Sequence, residues 1–426
     1  MGTLPAAEGS LSFIQKQSLL RAAIPVMAIA AIVWLAYQFW RLLLGDAPIW
    51  PTSPPGAIDL KLMHRLVDDW FAGRRIYGEL GSAVYPPATY VLLWPLVGWL
   101  DVGPARWLWG LTTVIALAAI IYLLLRESWA EGRLERAFVA LLPCSIYATG
   151  AAIGNGQLIV HLLPVLLAGI LLLRREPRGW REDLIASGLI VVAMAKPQIA
   201  APFLWLVLFL PRSWRPALLV GIGYGLLTLF ALYFPEATLG EMIHALRSRN
   251  AAFAVVSGHG NASNLHVWLG MLGLLTWIFP ASLLVWLVLG FWIYRRRDAD
   301  VWILLGVAAI VACFWTYHRW YDDVLLLLPM VALFRMAKRG SAAAGVLLGG
   351  TVLLSLAPGG LFLLPPPLNT VYVVGQTVLW MTTLVFLITS SGRGAGSRPG
   401  HAASIASGSG SHPGDGDGTR VPALPQ

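Results

Sequence analysis

An acidic residue interrupts the apolar side of a helix that the sequence predicts near the start of the chain. The stretch AIDLKLMHRLVDDWFAG begins at Ala57, and at about 100° per residue it places Asp59 between Leu66 and Trp70. There the carboxylate can cap the helix by accepting a backbone N–H, or it can lie in a cavity below the helix and act as a general base. The sequence leaves both interpretations open.

Two groups of charged residues lie at breaks between apolar segments, where ionisable groups are costly and usually functional. Lys196 precedes Pro197, which ends a helix, so its ammonium group either snorkels to the interface or binds an anion such as a lipid phosphate. His318 and Arg319 lie in the stretch YHRWYDD, among aromatic residues. They form either a phosphate clamp or, with the two aspartates, a self-neutralising group.

Uncharged polar residues interrupt two other apolar stretches. Asn155 and Gln157 lie in GNGQLIVHLLP, where their amides either hold helices together or bind a substrate. Tyr85 lies in VYPPATY, whose two prolines predict a rigid turn that starts a helix. In the topology predicted below, all these polar groups map to the outer face of the membrane.

The composition identifies the class of protein that must position these residues. Of the 426 residues, 58% are hydrophobic and only 12% are charged, and the mean hydropathy is +0.71. A soluble domain averages roughly 25% charged residues. The apolar residues form long runs, and hydrocarbon about 30 Å thick requires roughly 20 of them per helix. The sequence therefore predicts an all-α polytopic membrane protein.

The cysteines and the net charge exclude other classes. Cys144 and Cys313 both lie inside apolar runs, so neither a disulfide framework nor a thiolate metal site is predicted. The formal charge of +9 comes mostly from arginines at the ends of hydrophobic segments. That placement suits orientation in the bilayer and contact with anionic headgroups, and no nucleic-acid partner is predicted.

The arginines also predict the topology. With the N-terminus inside, arginine-rich loops such as RREPRGWRED and RRRDAD fall inside, as the positive-inside rule requires. Segment 86–100 is predicted not to cross fully, because Pro86, Pro87 and Pro95 favour a broken or re-entrant helix. We predict about 12 transmembrane helices, within a range of 11–13, at 19–44, 104–125, 136–153, 157–173, 183–196, 198–210, 216–234, 272–294, 301–317, 323–337, 341–357 and 370–388.

The chain divides into three predicted regions. Residues 1–18 form a cytoplasmic N-terminal segment, and residues 19–389 form the transmembrane domain, with a helix-bearing first outer loop at about 45–103. The tail, residues 390–426, is rich in glycine and serine and has almost no apolar content, so it is predicted to be disordered and cytoplasmic. The protein is thus expected to be a multi-pass plasma-membrane protein with both termini in the cytoplasm.

Five stretches, in this order and spacing, resemble glycosyltransferase family 87 of the GT-C superfamily. They are AIDLKLMHRLVDDWFAGRRIY, VYPPATYVLLWPL, GNGQLIVHLLPVLLAGILLLRR, GLIVVAMAKPQIAAPFLWLVL and YHRWYDDVLLLLPMVAL. The resemblance extends to about residue 337 and implies a GT-C-like helical bundle. It also implies a polyprenyl-phosphate sugar as donor, inversion at the anomeric carbon, and an acidic base in the first outer loop. Carried over to this chain, that base is Asp59, whereas Asp68 and Asp69 lie on the solvated side of the helix.

We therefore predict transfer of a hexose, mannose by family likeness, to a hydroxyl of a lipid or glycan acceptor at the outer membrane face. No cofactor and no metal are expected. The residues predicted to form the site are Asp59 as base, Lys196, His318 and Arg319 for the donor phosphate, and Asn155, Gln157 and Tyr85 for the sugar or substrate. The alternatives are a non-catalytic transporter or flippase of lipid or sugar, and a structural subunit of a larger assembly.

Overall fold

The structure is a computed structural model that describes residues 13–45, 55–77, 83–210, 214–235, 238–256 and 264–392. Most of the predicted N-terminal segment and nearly all of the predicted tail lie outside the described residues, as do parts of the first outer loop.

The described residues form α-helices and three short 3-10 helices, with no β-strand among them. The 3-10 helices are Ala201–Phe203, Leu275–Trp277 and Asp322–Leu326. In chain order the α-helices are α1 (Phe13–Leu43), α2 (Ile58–Phe71), α3 (Pro87–Val97), α4 (Val102–Glu127), α5 (Arg133–Ser145), α6 (Tyr147–Asn155), α7 (Ile159–Leu173), α8 (Trp180–Ala193), α9 (Pro197–Ala200), α10 (Leu204–Phe209), α11 (Trp214–Ala231), α12 (Leu239–Val256), α13 (Leu265–Met271), α14 (Ile278–Arg296), α15 (Val301–Phe314), α16 (Leu327–Lys338), α17 (Ala342–Ser355), α18 (Gly360–Leu363) and α19 (Leu368–Ser390).

Five helices within the described residues are long and apolar enough to cross a membrane. They are α1 from Gln17, α4, α11, α14 with the 3-10 turn before it, and α19. Together, α6 and α7 form a sixth candidate, bent by 116° at the break between them. The structure thus agrees with an all-α membrane protein that has five or six candidate spans, and it does not confirm the predicted twelve.

The shorter apolar helices explain this difference. Helix α15 has 14 residues, which at 1.5 Å per residue is about 21 Å, less than the roughly 30 Å of hydrocarbon. All its residues are buried, and it packs against α16 and α19 in the centre of the fold. An apolar run therefore has two possible environments, lipid and protein interior, and composition alone does not distinguish them. Helix α3, with 11 residues, is about 16 Å long and too short to cross.

Helix α2 is amphipathic and packs against α3, α4 and α6. Its buried side carries Leu60, Met63, Val67 and Trp70, and burial of each large apolar side chain stabilises the fold by about 1.5–3 kcal/mol. The Trp70 ring stacks on Tyr90 of α3 with centroids 5.0 Å apart. These contacts fix the orientation of α2, and therefore the direction in which Asp59 points.

One polar residue of α2 is covered by other parts of the chain. His64 is buried, and its Nε2 lies 2.6 Å from the carbonyl oxygen of Leu100, while its Nδ1 lies 3.1 Å from the Asp68 carboxylate. The chain that follows α3 covers this side of the helix, which a pattern confined to α2 does not reveal. Asp69 remains at the surface and pairs with Arg74 at 2.6 Å.

Candidate active site

A cavity of about 960 Å³ lies between α2, the turns that join α6 to α7 and α8 to α9, α13, α14 and the segment 315–322. Five of the seven predicted site residues line it: Asp59, Tyr85, Gln157, Lys196 and Arg319. They come from five separate parts of the sequence, so the fold, and not the local sequence, brings them together. Asn155 and His318 do not line the cavity.

Asp59 is the second residue of α2 and is half-buried, with the cavity on its exposed side. The residue before the helix is Ala57, at φ 56°, and it provides no side-chain cap. The Asp59 carboxylate instead accepts a hydrogen bond from the side-chain amide of Gln157. Burial raises the pKa of Asp59, while this hydrogen bond and the nearby charges of Lys196 and Arg319 act in the opposite direction.

Lys196 lies in the turn between α8 and α9, where Pro197 opens the next helix. Its ammonium group forms an ion pair with Asp322, and both side chains are only 3% exposed. The ammonium group also lies 5.0 Å from the centroid of the Tyr321 ring, within cation–π distance. Lys196 therefore does not snorkel to the surface, because its charged end is buried at the cavity wall.

Arg319 supplies a second cation to this wall. Its Nε donates a hydrogen bond to the Tyr317 hydroxyl, and its backbone N–H donates to the Asp322 carboxylate at 3.2 Å. With Lys61 and Arg65 of α2, the cavity is lined by four cationic side chains and two carboxylates, Asp59 and Asp322, a formal balance of four minus two, or +2. Such a cavity attracts an anionic ligand.

Asn155 has a structural partner. Its side-chain oxygen accepts a hydrogen bond from Arg41 at 3.2 Å, and Arg41 also donates to Gln38 at 2.9 Å. Next to Asn155, the carbonyl oxygen of Gly154 accepts a hydrogen bond from the backbone N–H of Ala57 at 2.8 Å. This network holds the α6–α7 turn against the start of α2 and thereby places Gln157 beside Asp59.

His318 is buried behind the cavity wall. Its Nε2 lies 3.3 Å from Asp323, and the other carboxylate oxygen of Asp323 accepts a hydrogen bond from the Tyr147 hydroxyl. This arrangement ties the turn before α16 to α6. The position explains why His318, although adjacent in sequence to Arg319, does not share its access to the cavity.

The profile of glycosyltransferase family 87 matches residues 83–323, more than half of the chain. This chain belongs to glycosyltransferase family 87. No curated protein and no solved structure matches it. The predicted family is thereby confirmed, and family membership indicates glycosyltransferase activity. The match covers Tyr85, Gln157, Lys196 and Arg319, whereas Asp59 precedes it.

Two cavity residues of this family 87 glycosyltransferase escaped the sequence analysis. The Nε2 of His266, at the start of α13, lies 2.8 Å from the Ser282 hydroxyl. Its Nδ1 accepts a hydrogen bond from the backbone N–H of Tyr317 at 3.1 Å. It therefore connects α13 and α14 to the segment that carries Arg319. An isolated histidine in a long loop gave no local indication of this role. Asp322, the partner of Lys196, was recognised only as part of a charged cluster.

One group of residues in the described part of this family 87 protein has the donor types of a metal site. Cys313, His318 and Asp323 offer ligand atoms within 4.8 Å of one another. Tetrahedral zinc, with bonds of about 2.0–2.3 Å, holds its ligands only about 3.3–3.8 Å apart. Cys313, His318 and Asp323 do not line the cavity. We assign this group no part in the reaction, and the expectation of a metal-independent site remains a prediction.

The glycine that ends α6 gives a direct test of how the site is positioned. Gly156 has a φ of +72°, and a Cβ added there would lie 2.5 Å from the Cβ of Leu60 in α2. The substitution Gly156→Ala is therefore expected to destabilise the protein by about 1–3 kcal/mol and to lower transfer activity, because it pushes α2 away from Gln157. Thermal unfolding and sugar-transfer assays in membranes measure both effects.

A matched glycine provides the control for this substitution. Gly188 lies within α8, and an added Cβ there meets no atom within 4 Å. Gly188→Ala is expected to leave activity unchanged and to keep or slightly raise stability. Equal effects of the two substitutions on transfer would contradict the positioning role of the α6–α7 turn.

Proposed function

We propose that this glycosyltransferase transfers a hexose from a polyprenyl-phosphate sugar to a hydroxyl of a lipid or glycan acceptor, with inversion at the anomeric carbon. Mannose is the sugar suggested by family likeness. The reaction takes place at the outer face of the plasma membrane, with both termini in the cytoplasm and residues 19–389 forming a GT-C-like domain. The observation that carries the proposal is that a carboxylate with a raised pKa, Asp59, lines the same cavity as the buried cation Lys196.

The residues that line the cavity suit a donor substrate that has a polar head and a lipid tail. Besides the charged residues, the lining includes apolar ones, among them Leu246, Phe279, Leu283 and Trp315. Phe279 and Leu283 belong to α14, a candidate membrane span, and are 37% and 54% exposed. Their exposed apolar surface continues along α14 through Leu287 and Phe291. A polyprenyl chain can therefore leave the cavity along this helix without entering water.

Asp59 is better suited to act as base than Asp322, the other carboxylate in the cavity. Both carboxylate oxygens of Asp322 already have a partner, one in the ammonium group of Lys196 and the other in the backbone N–H of Arg319. Asp59 accepts a hydrogen bond from the neutral amide of Gln157, and burial raises its pKa. A carboxylate with a raised pKa has a greater tendency to take a proton.

In the proposed reaction, Asp59 takes the proton of the acceptor hydroxyl as the oxygen attacks C1 of the sugar. The new C1–O bond forms as the bond from C1 to the phosphate oxygen breaks, and the electron pair of the broken bond stays on the phosphate. Lys196 and Arg319 stabilise the charge that develops there. Gln157 orients Asp59, and Tyr85 contributes to the wall around the sugar. The proposal assigns no cofactor, no metal, and no ligand role to His318 or Asn155.

The test is a transfer assay with purified protein and radiolabelled polyprenyl-phosphate sugars. We expect the label to appear covalently bound to an acceptor in membrane extracts, and a nucleotide sugar offered as the direct donor to give no product. Reconstitution in vesicles distinguishes the main alternative. Movement of intact labelled donor across the bilayer, without covalent transfer, would indicate a flippase and contradict the proposal.

The environment of Asp59 predicts how activity depends on pH. Because burial raises its pKa above the ordinary value of 3.8, and the base acts in its ionised form, transfer is expected to decline on acidification at a pH above that value. The pH profile of kcat/KM measures this acidic decline. The residual activity of Asp59→Asn should not show it. A decline centred at or below the ordinary value would contradict the proposed environment.

The same shift has a consequence for stability. A carboxyl group whose pKa is higher in the folded than in the unfolded protein destabilises the fold above its ordinary pKa, where it must ionise in a buried place. Asp59→Asn is therefore expected to unfold at a higher temperature than the wild type at neutral pH, and the difference should disappear below pH 3.8. A lower unfolding temperature at neutral pH would mean that Asp59 stabilises the fold.

A further inference from the structure

We propose that Asp322 is a displaceable counter-ion of Lys196, whose place on the ammonium group is taken by the phosphate of the donor. The inference rests on the proposed function, in which Lys196 binds that phosphate. It adds a role for a second carboxylate in the cavity. Asp322 acts through Lys196 and not on the sugar, so it is a positioning residue that sets how tightly the lipid phosphate is held.

The burial of the Lys196–Asp322 ion pair indicates that a bound phosphate must displace the Asp322 carboxylate. Both residues belong to the cavity lining, yet the Lys196 side chain is only 3% exposed, because the Asp322 carboxylate and the Tyr321 ring cover its ammonium group. A phosphate can therefore contact this ammonium group only by taking a position that one of these two groups holds. The carboxylate is the natural group to yield, since it carries the same charge as the incoming phosphate.

The neighbouring contacts allow the exchange. The second oxygen of Asp322 accepts one backbone N–H from Arg319 at 3.2 Å, whereas the next residue, Asp323, is held by the Tyr147 hydroxyl and lies beside His318. Exchange of one anion for another keeps Lys196 paired, so no buried cation is left uncompensated. The guanidinium group of Arg319, which also lines the cavity, compensates the displaced carboxylate.

This arrangement has a kinetic consequence. After transfer, the polyprenyl phosphate leaves from Lys196 as the Asp322 carboxylate returns, so the internal anion competes with the product and assists its release. Removal of the charge on Asp322 should therefore strengthen binding of the lipid phosphate and slow product release. A purely structural role for the ion pair predicts the opposite, namely equal or weaker binding of the lipid phosphate.

The experiment measures binding of farnesyl phosphate to the purified full-length protein in detergent. Compared with the wild type, Asp322→Asn is expected to bind this probe about tenfold more tightly, because one negative charge beside the phosphate is removed. Asp322→Glu keeps the charge and should bind within about threefold of the wild type. The steady-state kcat of Asp322→Asn should fall by more than its single-turnover rate, because release of the product is the step that is slowed.

Equal or weaker binding of farnesyl phosphate by folded Asp322→Asn would overturn the inference. If that variant does not fold, a structure of the wild-type protein with farnesyl phosphate decides the question. We expect the phosphate on Lys196 and the Asp322 carboxylate moved away, and a preserved Lys196–Asp322 contact would overturn the inference. Failure of the wild type to bind the probe at all would instead contradict the proposed function itself, and the inference with it.

Discussion

Replacement of Asp59 by asparagine is expected to lower the rate of sugar transfer by about 10²–10⁴-fold, the usual contribution of a general base. Asparagine has nearly the same shape, and its side-chain oxygen can still accept the hydrogen bond that Gln157 donates to the carboxylate. It cannot take the proton of the acceptor hydroxyl. The loss should therefore appear in kcat, with little change in binding of farnesyl phosphate. Initial rates with a labelled polyprenyl-phosphate sugar measure the effect.

A second acidic residue of the same helix serves as the control. Asp69 lies at the surface end of α2, pairs with Arg74 at 2.6 Å and does not line the cavity. Asp69→Asn removes one negative charge from α2 without touching the site, and its transfer rate should stay within about twofold of the wild type. Normal transfer by Asp59→Asn, or an equal loss in both variants, would show that Asp59 is not the base.

Replacement of Lys196 by methionine should have two separable effects. Transfer is expected to fall by about 10²–10³-fold, because charge on the leaving phosphate loses its main stabilising group. The protein should also lose about 3–5 kcal/mol of stability, because Asp322, whose side chain is only 3% exposed, keeps a buried charge without its partner. Transfer rates and thermal unfolding of the purified variant measure the two effects independently.

The double variant Lys196→Met/Asp322→Leu separates catalysis from folding. Replacement of a buried ion pair by apolar side chains of similar size is often neutral or stabilising, so its unfolding temperature should return close to that of the wild type. Its transfer activity should stay as low as in the single variant. Recovery of transfer together with stability would mean that Lys196 acts on the fold and not on the phosphate.

The sequence predicted those features that depend on local pattern. The period of α2 placed Asp59 among apolar residues, and in the structure it lines the cavity. The break at Pro197 singled out Lys196, which the structure shows to be buried and paired with Asp322, and its role in binding an anion stays a prediction. Both predictions relied on a polar group in apolar surroundings, where the energetic cost of burial makes the residue informative. The family was recognised from the order of five weak stretches, and the profile match agrees.

Features that depend on distant pairing could not be predicted in this way. Asn155 had the residue type of a sugar ligand, but its partner is Arg41, 114 positions away in the sequence. His318 was grouped with Arg319 because they are adjacent, although the turn directs one towards Asp323 and the other towards the cavity. Lys196 finds its counter-ion 126 positions away. The predicted number of membrane spans is not confirmed for a related reason, since short apolar helices such as α15 are surrounded by protein.

The anomeric configuration of the product tests the account most directly. With Asp59 activating the acceptor and Lys196 holding the leaving phosphate, attack and departure occur on opposite faces of C1 in a single displacement. Purified protein supplied with a polyprenyl-phosphate sugar of defined configuration should therefore yield a product of inverted configuration, as read by NMR. A product of retained configuration would require two successive displacements or attack from the face of the leaving phosphate, and would contradict a single displacement with Asp59 as general base.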